Sequence, residues 1–187
     1  MAGRAAAKFD HLFGALIRTA FLLVSMFIAG HSLASTVVMV DGASWGFKFE
    51  PTSAQTRKSD PATGEFQFEA LTQDGFIVTG FVEPAEGKGT NAKTCRTFYW
   101  QLFSKNPMID KATIRVGSTG KQFEVVSYVA KGSTPTQRFV QFNSHYYGFR
   151  DGKCIDIHVS QAFSETGEPD FTNLRSFFKS FGYSDAK

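Results

Sequence analysis

Along the chain, apolar and polar positions fall into two periods. Trp45, Phe47 and Phe49 alternate with Gly46, Lys48 and Glu50, the two-residue period of a half-buried strand. The polar stretch from Pro51 to Gly64 holds two prolines and reads as a loop. Phe66, Phe68 and Ala70 then alternate with Glu65, Gln67 and Glu69, and Gln73-Asp74-Gly75 turns into a third strand, Phe76 to Glu83. That strand is apolar on both sides, Phe76, Val78 and Val82 against Ile77 and Phe81, so it belongs in the interior of a sheet covered on both faces.

After Gly87-Lys88-Gly89-Thr90 the period becomes helical. Cys95, Phe98, Tyr99 and Leu102 share one face, Asn91 or Thr90 supplies the cap, and Asn106-Pro107 ends the helix. Strands return at Ala112 to Val116 and Gln122 to Ala130, joined through Gly117-Ser118-Thr119-Gly120, and a long hairpin, Gln137 to Phe149 and Lys153 to Phe163, turns at Asp151-Gly152. Asp170 can cap a last helix with Phe171, Leu174, Phe177, Phe178 and Phe181 as its stripe and Gly182 as its stop. Residues 35–43 read as an irregular lead-in. The expectation is therefore a single α+β domain over 44–187. An antiparallel sheet of about seven strands buries the stripes of two amphipathic helices, a layered sandwich.

The N-terminus has a different design. Arg4, Lys8 and Arg18 precede an uncharged apolar run from Thr19 to Gly30, and Ser32-Leu33-Ala34 places small residues where a signal peptidase reads, so residues 1–34 are expected to be a cleavable signal peptide. The alternative is an uncleaved anchor beginning near Leu12; a run of about 12 residues is short of the roughly 20 that a bilayer core requires. Cleavage changes the charge picture. The precursor carries +3, but three basic and one acidic residue leave with the leader, so the mature part has 17 basic and 16 acidic groups. Charge thus implies neither nucleic acid nor stable membrane association after cleavage. Both cysteines, Cys95 and Cys154, lie in the exported part without CxxC spacing, and a disulfide is the default in an oxidising compartment, with a metal-binding or redox thiol pair as the alternative. Seventeen of the 21 phenylalanines are also in the mature part, which makes an aromatic core.

The element order and the terminal block of aromatic-rich strand, Asp-Gly turn, Cys154-Ile155-Asp156-Ile157-His158-Val159-Ser160 and Phe-rich end resemble the PsbP-like α/β/α sandwich proteins. The resemblance covers most of the mature chain and implies a non-enzymatic accessory or binding role. It transfers no functional residue.

Candidate chemistry is sparse, and no cofactor is indicated. Gly42-Ala43-Ser44-Trp45-Gly46 matches GxSxG, but a nucleophile elbow runs from strand into helix and this segment runs into a strand. Lys88, Gly89 and Thr90, with Lys93 and Arg96 nearby, could receive an anion at the helix start; a flexible loop before a capped helix is the plainer account. His145 and His158 are the histidines of the mature part. A two-residue turn at Asp151-Gly152 pairs Arg150 with Lys153, Phe149 with Cys154, Tyr147 with Asp156, His145 with His158 and Asn143 with Ser160, all on one face. Two imidazoles so placed could share a divalent metal with Asp156, or the row could be a hydrogen-bonded stripe in which Asp156 and Tyr147 satisfy each other. The functional expectation is an exported, non-enzymatic binding or accessory module of the cell envelope, with an envelope protein or small ligand as partner. The alternative is a hydrolase or weak metal-binding protein built on His145, His158 and Asp156.

Overall fold

The computed structural model describes residues 35–49, 52–72, 74–120, 122–133, 138–164 and 180–186. The expected signal peptide lies outside the described residues, as does the expected last helix apart from Ser180 and Phe181.

Among the described residues the chain forms β1 (Thr36–Met39), β2 (Trp45–Phe49), β3 (Thr52–Asp60), β4 (Glu65–Thr72), β5 (Ile77–Pro84), α1 (Ala92–Phe103), β6 (Ile109–Thr119), β7 (Phe123–Ser133), β8 (Arg138–Arg150), β9 (Lys153–Ser164) and β10 (Gly182–Asp185). Seven strands make one antiparallel sheet in the order β3-β4-β5-β9-β8-β7-β6, and a smaller sheet runs β1-β2-β10. The class is α+β, as expected, but the layer opposite α1 is this three-stranded sheet.

Two stretches correct the reading from sequence. The supposed lead-in at 35–43 contains β1, which pairs with β2 and sends Val38 fully into the core. The supposed loop at 51–64 contains β3, the sheet's edge. Both lack alternation for a physical reason: β1 is four residues long, and an edge strand with exposed Thr56, Arg57 and Lys58 has little apolar contact to advertise itself. The β6 and β7 strands also run further than expected, taking in Gly117 to Thr119.

The large sheet separates two cores. On one face Phe66, Phe68, Val78, Val82, Ile155, Ile157 and Val159 meet Val38, Trp45, Phe47 and Phe49 of the small sheet. On the other, α1 brings Cys95, Tyr99 and Phe103 down upon Val126, Tyr128, Tyr147 and Cys154. The α1 start is a reciprocal cap: the Asn91 side chain accepts from the Thr94 N–H at 3.0 Å, and the Thr94 hydroxyl accepts from the Asn91 N–H at 3.1 Å. Cys95 and Cys154 are bonded and fully buried, tying α1 to β9 across 59 residues of sequence.

Candidate functional site

The β8–β9 hairpin sets the site. Asp151 and Gly152 both have positive φ, 48° and 70°, the backbone of a two-residue turn whose twist matches its strands. The register follows as the spacing predicts: Arg150 faces Lys153, Phe149 faces Cys154, Tyr147 faces Asp156, His145 faces His158 and Asn143 faces Ser160. The opposite face of β9 carries Ile155, Ile157 and Val159, each fully buried.

The side chains form two directional hydrogen-bonded series whose histidine rings stack on each other. His145 Nδ1 lies 2.9 Å from Asp156 Oδ1, and a carboxylate only accepts, so Nδ1 carries the proton. His145 Nε2 is then the acceptor for the Tyr128 hydroxyl, 3.2 Å away. Two residues back along His145's own strand, Asn143 donates its amide N–H to the Gln141 carbonyl at 3.0 Å, which turns its Oδ1 toward His158 Nε2 at 2.8 Å. His158 therefore donates from Nε2 and keeps a lone pair on Nδ1. Burial, reinforced by neighbouring His145, holds the half-buried His158 well below the usual histidine range.

Aromatic rings continue the row. His145 stacks on His158 at 4.4 Å and on Tyr147 at 5.6 Å, Tyr147 stacks on Tyr99 at 6.0 Å, and Phe103 packs on His145 at 4.9 Å. Tyr99 donates to Glu83 at 2.5 Å, and Lys88 Nζ lies 3.1 Å from the other Glu83 oxygen. Tyr147 and Asp156 face each other but do not bond. Asp156 takes His145, and the buried Tyr147 hydroxyl has no partner among the described residues. Burial and the nearby Asp156 charge push the Tyr147 hydroxyl well above the usual tyrosine range.

Of the expected metal ligands, His145, His158 and Asp156 do come together. The imidazoles lie face to face at an interplanar angle of 20°, and three of their four ring nitrogens are engaged by Asp156, Tyr128 and Asn143. Among the described residues no group of three or more His, Cys, Asp or Glu side chains is placed to hold a metal ion. The His145–Asp156 pair has the outline of an oriented base, but the group in reach of it is Tyr128, a buried hydroxyl pushed above its ordinary value by that burial and by Asp156. Such a hydroxyl is a poor nucleophile.

At the start of α1 the expected anion donors are spent internally. Gly89 N–H donates to the Ala85 carbonyl and Thr90 N–H to the Thr94 hydroxyl, Lys88 is held by Glu83 and Pro84, and Arg96 pairs with Glu124 at 2.6 Å. Ser44 of the GxSxG match sits in the β1–β2 turn, with a strand and not a helix after it. Sequence reasoning missed Tyr128 and Glu83. Glu83 faces Cys154 across β5 and β9, a placement that the disulfide expectation and the interior position of β5 together could have exposed.

Fold and site together define a disulfide-closed α+β protein in which a stacked polar row runs from beneath the helix to a half-buried His158. No family model and no curated protein matches the chain. The solved structure of LpqN, described as involved in cell envelope biogenesis of Mycobacterium tuberculosis, is similar over 82% of this chain and 92% of that one, at 8% identity and a TM-score of 0.44. A likeness that distant carries no functional argument.

Proposed function

We propose that the chain is an exported, non-enzymatic binding or accessory module of the cell envelope. The observation that carries the reading is the state of the histidine cluster: the oriented His145 ends on buried Tyr128 and His158 Nε2 is held by an amide oxygen, and among the described residues the only hydroxyl bonded to either ring is that of Tyr128. Export is supported by the basic-then-apolar leader and by the buried Cys95–Cys154 bond, since such bonds persist in oxidising compartments. The resemblance of the sequence to PsbP-like proteins, in element order and terminal block, adds to this reading.

Expression of the full chain in a bacterial host, with fractionation, N-terminal sequencing and intact mass, tests export. The expected product begins at Ser35, fractionates outside the cytoplasm and has no free thiol. A cytoplasmic product with two titratable thiols overturns the reading. Chromogenic carboxylic and phosphoric esters test the other half: turnover that is lost in His145→Ala or His158→Ala would make the protein a hydrolase.

A further inference from the structure

The two edges of the large sheet differ in how they are protected. On β6 the pairing with β7 breaks between Asp110 and Arg115. There the strand's own side chains occupy its backbone: Asp110 accepts from the Ala112 N–H at 3.2 Å, the Thr113 hydroxyl donates to the Asp110 carbonyl at 2.6 Å, and Arg115 donates to the carbonyls of Ala112 and Ile114 at 3.0 and 2.9 Å. A bulge with self-bonded groups is how a sheet edge is closed against strangers.

Beyond the bulge the protection stops. From Val116 to Thr119 the strand pairs regularly with β7 on one side and, among the described residues, has no strand on the other. Every side chain there is exposed, and among the described residues Val116 at 60% is the most exposed large hydrophobic residue and nothing lies within 4 Å of where a Cβ on Gly117 would stand. Outward N–H and C=O groups beside an exposed valine and an unobstructed glycine form a short template for an added strand. Among the described residues, the charges of β6 that are left without an ion-pair partner have one sign. Lys111 has no ion-pair partner among the described residues, and Arg115 bonds only to neutral carbonyls. The two acids of β6 and β7 are spent elsewhere, Asp110 on Lys131 at 3.1 Å and Glu124 on Arg96.

We propose that the Val116–Thr119 edge of β6 is a strand-addition site for an acidic extended peptide segment of a partner protein, with Lys111 and Arg115 selecting its charge. A second copy of β6 would bring the same two cations and no unspent carboxylate, so the site favours a partner over self-association. This surface deepens the accessory-module reading and rests on it for its biological setting, while its test uses neither export nor capture of a natural partner, so either can fail alone.

The probe is a pair of short synthetic peptides alternating valine and threonine with glutamate or with lysine, titrated into the isotope-labelled oxidised protein. The glutamate peptide is expected to shift the amides of Val116 to Thr119 and protect them from exchange, with affinity falling as salt rises. The lysine peptide is expected to do neither. Lys111→Glu, at an exposed side chain with no ion-pair partner among the described residues, should weaken the glutamate peptide by about fivefold, whereas Lys58→Glu on the opposite edge should leave it unchanged. Absence of shifts at millimolar peptide, equal response to both peptides, or shifts confined to Thr52–Asp60 would overturn the site.

Discussion

Gly80 is the position where the packing between the two sheets is most exposed to a single added carbon. It stands on β5 directly opposite Phe68 of β4 and Ile157 of β9. A Cβ built there meets the Phe68 ring at 1.9, 2.5 and 2.6 Å. Ordinary carbon contact is about 3.5–4.0 Å, so in Gly80→Ala the ring must retreat by roughly 1.5 Å. It has little space to do so, because Phe68 is 4% exposed and lies against Phe47, Phe49 and Phe66 at centroid distances of 5.7, 6.0 and 6.2 Å. Overpacking of this kind costs about 1–3 kcal/mol, and the surrounding rings argue for the upper end. Loss of glycine's unfolded-state freedom returns about 0.4–1 kcal/mol, leaving a net destabilisation of about 2 kcal/mol. In a domain of this size that lowers Tm by about 4–8 °C. Phe68→Leu, which removes the offending ring edge, should cost about 1–2 kcal/mol alone but suppress the effect of Gly80→Ala. The double variant should be more stable than the sum of the singles by at least about 1 kcal/mol in urea melts. A neutral Gly80→Ala, or additive single effects, would refute the packing argument.

Replacing both Cys95 and Cys154 by Ala should lower stability by about 4 kcal/mol, since the bond closes a span of 59 residues; a loss under about 1 kcal/mol by urea midpoint would contradict that. Asp156→Ala strands the buried His145 Nδ1–H and should cost about 2–3 kcal/mol, with Asp156→Asn milder because an amide oxygen can still accept; equal effects of the two substitutions would argue against the hydrogen bond as the cause. Because the folded protein holds His158 below its ordinary range, stability should be unaffected by this group above about pH 6.5. Below that it should fall, by up to about 1.4 kcal/mol per pH unit, as the unfolded chain takes up a proton the folded chain refuses, until the folded-state value is reached. His158→Gln should flatten that slope by one proton, and an unchanged slope in denaturant midpoints measured from pH 4 to 8 would exclude His158 as its source.

The parts of the fold that were legible share a cause. The β8–β9 register was readable because Asp151-Gly152 dictates a turn type, and a two-residue turn leaves one pairing consistent with burying Ile155, Ile157 and Val159. The α1 helix was readable from its 3.6-residue stripe and its Asn91 cap. By contrast, β3 is polar along its exposed side chains, and β1 is short, so neither writes a period into the sequence. They exist because β4 and β2 offer them backbone partners. The polar row was legible as a juxtaposition and not as chemistry. Register placed His145 opposite His158, but which nitrogen bonds what depends on Tyr128 and Asn143, one from a neighbouring strand and the other two residues along the same strand. The expected Tyr147–Asp156 bond failed for a similar reason. Facing residues share a rung, while a tyrosine hydroxyl projects well past its own.

The chemistry of the two sheet faces bears on where a partner can act. One face is filled chiefly by aromatic rings and aliphatic side chains, those of the small sheet among them. The α1 face has to seat a helix over a row that includes Glu83, Asp156, His145 and Asn143, each at most 8% exposed. Buried polar groups are costly unless bonded, and each good bond restricts the neighbours that satisfy it. The Asp156–His145–Tyr128 series fastens β9, β8 and β7, the Lys88–Glu83–Tyr99 series fastens α1 to β5, and the disulfide secures the same helix beside Glu83. A row already committed to aligning the helix has few bonds left to offer a ligand without loosening that helix. Recognition is therefore better placed on surface the alignment does not use, and the unguarded outer half of β6 is surface of that kind.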